Sequence, residues 1–355
     1  MAINQTPELE RALQLAAERR ASDLFLIPGE PVALRIKGKI ERAGGEPLTP
    51  ADVRSIAVAA VGEQRLAALG TETGRIVTSC ELPGVAAGRM CIASARGEPT
   101  IVVRILPTRM WDVKQLCIPD AVLKAARSPN GLVIFSGVAG SGKTTSMLSV
   151  LDDWNANMPG HVCTVEDPIG MVLTSKRSIV QQREVGVDVP DVVSGIAAAM
   201  RQDLDVLMVG ELKTAEEVQA CLAACETGHL VFTQVHADLP STALQRLLEI
   251  QPAEELQPPR LQLFCQRLGR ALRCVLCQML LPRADGPGLV AAYSVLVLDN
   301  QLRNMIAQCQ QLRTRTAPWP EGCLTFRDHI LSLRQQGHIT EETAQQAMAS
   351  LTESM

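Results

Sequence analysis

Residues 137–144 read GVAGSGKT, directly after the apolar run GLVIFS and at the start of KTTSMLSVLDDWNAN. No other stretch constrains the fold as much. The pattern G-x-x-x-x-G-K-[ST] makes a phosphate-binding loop only between a strand and a helix. There, backbone N–H groups and the positive end of the helix converge on one anion. Glycine at 137, 140 and 142 lets the backbone curl closely round a phosphate. Lys143 is then placed to reach the β- and γ-phosphates, and Thr144 to hold Mg²⁺. The expected cradle comprises Gly137, Val138, Ala139, Gly140, Ser141, Gly142, Lys143, Thr144 and Thr145.

The sequence around the loop alternates strand and helix. HVCTVED, DVLMVGE and HLVFTQVH read as strands, and DVVSGIAAAMRQD and TAEEVQACLAACETG as the helices between them. Such alternation implies a mostly parallel sheet covered on both faces. In that architecture ligands bind outside the carboxyl ends of the strands. Glu166, followed by Asp167, ends one apolar strand, and Glu211 ends another. A carboxylate delivered beside a phosphate loop holds Mg²⁺ or orients a water. Further on, PAEELQPPRLQLFCQRLGRALRCVLCQMLL reads as helical with a break near Pro258-Pro259. LVAAYSVLVLD reads as a late strand, and TFRDHILSLRQQG and TEETAQQAMASL as closing helices.

A chain of 355 residues has room for two domains, each with its own core. Residues 1–107 read as a small α/β domain. Thr6-Pro7-Glu8 and the similar start of LTPADVRSIAVAAV each open a helix with a capping side chain, a proline and an acid. DLFLIP, VALRIKGKI, GRIVTSC, GRMCIAS and TIVVRIL read as strands bounded by Gly or Pro. Proline at both ends of PTRMWDVKQLCIPD places a linker at 108–118, and the phosphate-loop domain occupies 119–355.

The net charge of −4 carries no electrostatic footprint of a nucleic-acid partner. Eleven scattered cysteines, many at apolar positions, read as reduced core thiols. Cys274 and Cys277 have zinc-ligand spacing, but no second pair follows, so no zinc is expected. The N-terminal residues are interrupted by acids and do not form a signal peptide, and no apolar stretch is long enough to span a bilayer. A cytoplasmic location is expected.

His229 and His236 lie seven residues apart in ETGHLVFTQVHAD. On a strand they would point to opposite faces and lie about 23 Å apart at ~3.3 Å per residue, too far to share a metal. His236 falls at the end that carries Glu211 and the loop, where it is placed to sense nucleotide. His229 is expected to be structural or to face a neighbouring subunit.

Taken together, ASDLFL, PGVAAGRM, VVRILP, GSGKTT, VEDPI, QQREVG, RQDLDVLMVGE, ETGHLVF and LRNMI resemble the type IV pilus retraction ATPases of the secretion-ATPase superfamily. The resemblance runs over nearly the whole chain. It implies a PAS-like N-terminal domain and a RecA-like P-loop domain with C-terminal helices, assembled as a homo-hexamer. The implied activity is ATP- and Mg²⁺-dependent movement of N-terminal domains against RecA-like domains, which draws pilin from the fibre base and drives twitching. Implied partners are an inner-membrane pilus platform protein, which would hold the cytoplasmic ring at the membrane, and a paralogous retraction ATPase. By the same resemblance Glu166 is the general base or water-orienting group, Glu211 the Walker B glutamate and metal-site residue with Thr144, and His229 and His236 the His box. Arg89 and Arg104 match arginines that approach the nucleotide phosphates.

The chain also departs from that pattern. Alanine stands at 87 and 197 where the family has arginine, and Lys213-Thr214 stands where it has Arg-Asp. Gln301 and Ala307-Gln308 surround LRNMI with neutral residues, and Ala237-Asp238 follow His236. Lysine does not reproduce a bidentate arginine contact. These departures support a weakly hydrolysing accessory ring subunit as an alternative. A type II secretion or pilus assembly ATPase is another, although the chain lacks the long N-terminal extension and tetracysteine subdomain of those relatives.

Overall fold

The structure, a computed structural model, describes residues 6–36, 38–70, 74–82, 85–106, 110–309 and 320–353. The chain divides into two compact units: Met1–Arg109 with Gly170–Val172, and Met110–Ile169 with Leu173–Met355.

In the first unit Thr6 caps helix α1 (Pro7–Glu18), its side chain accepting from Leu9 N. Leu9, Ala12, Leu13 and Ala16 recur on one face of α1 and are buried. Strands β1 (Asp23–Leu26), β2 (Ala33–Ile36) and β3 (Lys39–Arg42) follow, then α2 (Pro50–Val61) and α3 (Glu63–Ala67). Strands β4 (Arg75–Leu82), β5 (Ala86–Ala95) and β6 (Glu98–Leu106) complete an antiparallel sheet ordered β3-β2-β1-β6-β5-β4. Leu24, Leu34, Met90, Ile92, Ile101 and Val103 pack from the sheet with Leu13 and Ile56 of the helices. VALRIKGKI is two strands rather than the one expected. Ile36 pairs with Lys39, and Gly38 at φ +81° reverses the chain between them. Lys37, residue 107 at the end of the first domain, residues 108–109 of the expected linker and the side chain of Ala87 lie outside the described residues.

The second unit begins with α4 (Asp120–Ala125), β7 (Gly131–Ser136), α5 (Lys143–Asn157), β8 (His161–Glu166) and β9 (Ile179–Glu184). It continues through α6 (Val192–Ala199), β10 (Val206–Glu211), α7 (Ala215–Glu226), β11 (Leu230–Val235) and α8 (Pro240–Glu249). The C-terminal part contains α9 (Arg260–Ala271), β12 (Leu272–Pro282), β13 (Leu289–Val297), α10 (Asn300–Ala307), α11 (Phe326–Gln335) and α12 (Glu341–Glu353). The sheet order is β13-β12-β7-β11-β10-β8-β9, parallel throughout except for the β12–β13 pair. Every residue of β7 and β11 is buried, as expected for central strands covered on both faces. Ile134, Val209 and Val231 of the sheet share a core with Val218 and Leu222 of α7 and Phe264 and Leu268 of α9.

One reading is corrected here. RCVLCQMLL is not the end of a long helix but most of β12, between β7 and β13. Helix α9 stops at Ala271 with no turn between it and the strand. Arg273 Nη1 ends the helix by donating to the carbonyls of Arg270 and Ala271, and its Nη2 donates to Asn130 Oδ1. Gly131 leaves space for this group, since a Cβ there would lie 2.6 Å from Ala271 O. No helix among the described residues is long and apolar enough to cross a membrane.

Candidate nucleotide-binding site

The phosphate loop connects β7 to α5 at the centre of the parallel sheet. Gly137, Gly140 and Gly142 have φ of +148°, +77° and +85°, values that a Cβ makes costly. Gly142 occupies the N-cap of α5 in the left-handed region, and no side chain caps the helix. The first N–H groups of α5 are therefore directed at the loop's concavity, where an anion is favoured. Ser141 Oγ is buried against Gly137 without a hydrogen-bond partner. Val138, Ala139 and Gly140 form the exposed rim, and Thr145 is half-buried in the first turn of α5.

Lys143 is only 7% exposed. Its Nζ donates to Gly137 O and Val138 O, both at 2.9 Å, and meets His236 Nδ1 at 3.2 Å. Burial lowers the pKa of Lys143, and the Glu211 charge partly opposes that shift. An ammonium group only donates, so His236 Nδ1 is the acceptor and Nε2 carries the hydrogen that faces Glu211 Oε1 at 3.1 Å. Lys143, His236 and Glu211 thus form one chain of contacts from the start of α5 to the ends of β11 and β10. Beside it, Thr144 Oγ1 donates to Gln234 Oε1 at 3.0 Å. The hydroxyl and the Glu211 carboxylate are hard oxygen donors, which fits Mg²⁺.

Glu166 is 3% exposed at the end of β8, where its Oε1 accepts from Thr164 Oγ1 and Gln182 Nε2. In the sheet order it lies three strands from β7, about 14 Å at the usual strand spacing. The next residue, Asp167, pairs with Lys213 at 3.1 Å. That contact raises the Lys213 pKa, with burial opposing it. Thr214 caps α7 in a capping box with Glu217.

His229 is not brought to the loop within this chain. It precedes β11 at the opposite end from His236, and its Nδ1 lies 3.2 Å from both Ala224 O and Thr227 Oγ1 at the end of α7. Arg89 and Arg104 belong to the first unit, where they are register partners on β5 and β6. Arg104 Nε donates to Asp23 Oδ1 at 3.1 Å. Cys274 and Cys277 are buried on β12. An i, i+3 pair on a strand points to opposite faces, and burial pushes both thiols up. Among the described residues no three His, Cys, Asp or Glu side chains are grouped so that they could hold a metal ion.

Two residues of the site escaped sequence reading, Gln234 and Gln278. Each is buried in an apolar strand and bonds to the loop or to α5. A lone amide inside an apolar strand was the only signal available, because a buried amide needs partners.

Residues 7–324 match the family described as type II/IV secretion system protein. The chain is 30% identical to the type IV pilus ATPase PilU of Pseudomonas aeruginosa, over 95% of this chain and 87% of the relative. It is 29% identical to the retraction ATPase PilT of the same organism, over 96% and 97%. Among solved structures, the pilus retraction motor PilT with bound ADP aligns with a TM-score of 0.83 and 34% identity, covering 96% of both chains.

Proposed function

The chain belongs to the type II/IV secretion system protein family, and from that membership we propose that it is a motor ATPase powering retraction of a type IV pilus. The observation that carries this reading is the likeness, over 96% of both chains, to a retraction motor with bound ADP. The complete phosphate loop of this chain supports it.

In this reading the α5 N-terminus, Ser141 and Lys143 bind the nucleotide phosphates. Thr144 and Glu211 would hold Mg²⁺. The ion would supply positive charge to neutralise the charge that develops on the phosphates. Lys143 exchanges its loop carbonyls and His236 for phosphate oxygens. His236, freed on one side, keeps its hold on Glu211 and reports nucleotide state along β11. Glu166 orients or deprotonates the attacking water. Assembly is proposed as a homo-hexamer docked on an inner-membrane platform protein, with Arg89 and Arg104 supplying cationic charge in the assembled ring.

The test is Mg²⁺-dependent ATP hydrolysis by the purified chain, with Lys143→Ala and Glu211→Ala as comparisons. Turnover is expected to fall by orders of magnitude in both variants. A wild-type rate no higher than theirs removes the ATPase reading. Light scattering should give the mass of a hexamer of 38.3 kDa chains. Deletion of the gene should leave more surface pili and abolish twitching, whereas loss of pili would assign the chain to assembly.

One observation favours a second reading, that of a weakly hydrolysing accessory subunit. Lys213 makes a single half-exposed contact to Asp167 where an arginine could bind bidentately. Lys213→Arg combined with Ala87→Arg and Ala197→Arg should then raise turnover, and an unchanged rate discards this reading.

A further inference from the structure

Gln278 has no part in the chemistry above, yet it bonds to the phosphate loop from β12. It lies beside the start of the loop, since its neighbour Cys277 pairs with Ser136 of β7. The side chain is buried to 5% exposure, and both ends of its amide are used. Nε2 donates to Ser141 O at 2.7 Å, and Oε1 accepts from Ser146 Oγ at 2.6 Å. The backbone takes part as well. A Cβ on Gly137 would collide with Gln278 O, and one on Gly142 would lie 2.7 Å from Gln278 Nε2. Residue 278 therefore presses on the first and last glycines of the loop and bonds to the residue between them and to the first turn of α5.

The bond to Ser141 O has a directional consequence. In a trans peptide the carbonyl and the following N–H point opposite ways. Holding Ser141 O toward β12 turns the Gly142 N–H away from β12. An N–H turned out of the sheet in this way is free to join the N–H groups of the α5 N-terminus that favour an anion.

We propose that Gln278 is the positioning residue of the phosphate loop, pinning the Ser141–Gly142 peptide so that the Gly142 N–H faces the nucleotide. Through Ser146 it also fixes the first turn of α5 against β12. Since β12 starts where α9 ends, and its partner β13 leads into α10, the shape of the loop is tied to the C-terminal helices. The proposal rests on the reading of this loop as a nucleotide site.

The experiment is titration of the full chain with a fluorescent ADP analogue in the presence of Mg²⁺, with thermal melting to confirm folding. Gln278→Met keeps the length of the side chain and removes both amide bonds without adding charge. Its dissociation constant is expected to rise about tenfold, from loss of two buried hydrogen bonds. Ser146→Ala, a milder change, should raise it about threefold in the wild-type background and much less beside Gln278→Met, because the amide it donates to is then gone and only its contact with Tyr293 remains. A residue that only fills the core would lower the melting temperature and leave affinity unchanged. A dissociation constant within about twofold of wild type in folded Gln278→Met therefore overturns the proposal. If the unaltered chain binds ADP but hydrolyses no ATP, and Gln278→Met weakens binding, the motor reading fails and this one stands. If hydrolysis depends on Lys143 while Gln278→Met binds normally, this one fails alone. No ADP binding by the unaltered chain overturns both.

Discussion

Removing the imidazole of His236 should move affinity and turnover in opposite directions. Its Nδ1 accepts from Lys143 at 3.2 Å and its Nε2 donates to Glu211 at 3.1 Å. A hydrogen bond to a charged group contributes about 1.5–3 kcal/mol. The His236 side chain is 43% exposed, so solvent screening places its contact with Lys143 at or below the low end, about 1.5 kcal/mol. Lys143 has three donors, and all of them are engaged, by Gly137 O, Val138 O and His236 Nδ1. A nucleotide phosphate must draw the ammonium away from His236, which opposes binding by that amount. In His236→Ala the opposition is absent, so the dissociation constant for ADP should tighten by up to about tenfold.

Turnover should fall in the same variant, because Glu211 loses the donor that orients its carboxylate. A drop of about 100-fold matches the scale of misplaced acid–base groups. The assay pairs a fluorescent-ADP titration with steady-state phosphate release, each at low and high salt. The gain in affinity should shrink at high salt, since the His236 side of the contact is 43% exposed. Weaker ADP binding in His236→Ala would refute the argument: the ring would then be a nucleotide ligand rather than a competitor for Lys143.

Two further predictions concern the scaffold. His329 accepts from Tyr293 N at 2.9 Å and stacks on its ring, and burial lowers its pKa from the ordinary 6.5. The folded chain keeps this ring neutral at a pH where the unfolded chain protonates it. Its contribution to stability is thus complete above about 6.5 and is lost as pH falls through the folded value. Melting curves between about pH 7 and pH 5 should fall more steeply for wild type than for His329→Gln, and parallel curves would count against this account. Among the cysteines, burial pushes the thiols of Cys80, Cys225 and Cys265 up to about 12, while Cys117 and Cys309 are exposed. Alkylation near pH ~8 followed by mass spectrometry should mark Cys117 and Cys309 first and reach the other three only in denaturant, and early labelling of Cys80 would contradict its burial.

What could be read from the sequence follows from how locally each feature is encoded. Strands β7, β8, β10 and β11 were legible because short apolar runs alternate with capped helices, and Glu166 and Glu211 mark two strand ends. The phosphate loop was legible for the same reason, since its glycines, Lys143 and Thr144 are contiguous and serve one ligand. Strand β12 was not. It is buried on both faces over most of its length, so it lacks a two-residue period, and α9 runs into it with no Gly or Pro at the junction itself. The stop is made by Arg273, whose guanidinium reaches back to the helix carbonyls, and an arginine in sequence carries no such signal. Misreading β12 as helix also hid Gln278, whose hydroxyl partner in α5 is 132 residues away, just as the Thr144 partner Gln234 is 90 residues away. A motif names the residues that meet the ligand. The residues that hold the motif in shape come from wherever the sheet brings a strand alongside, and only the strand order reveals them.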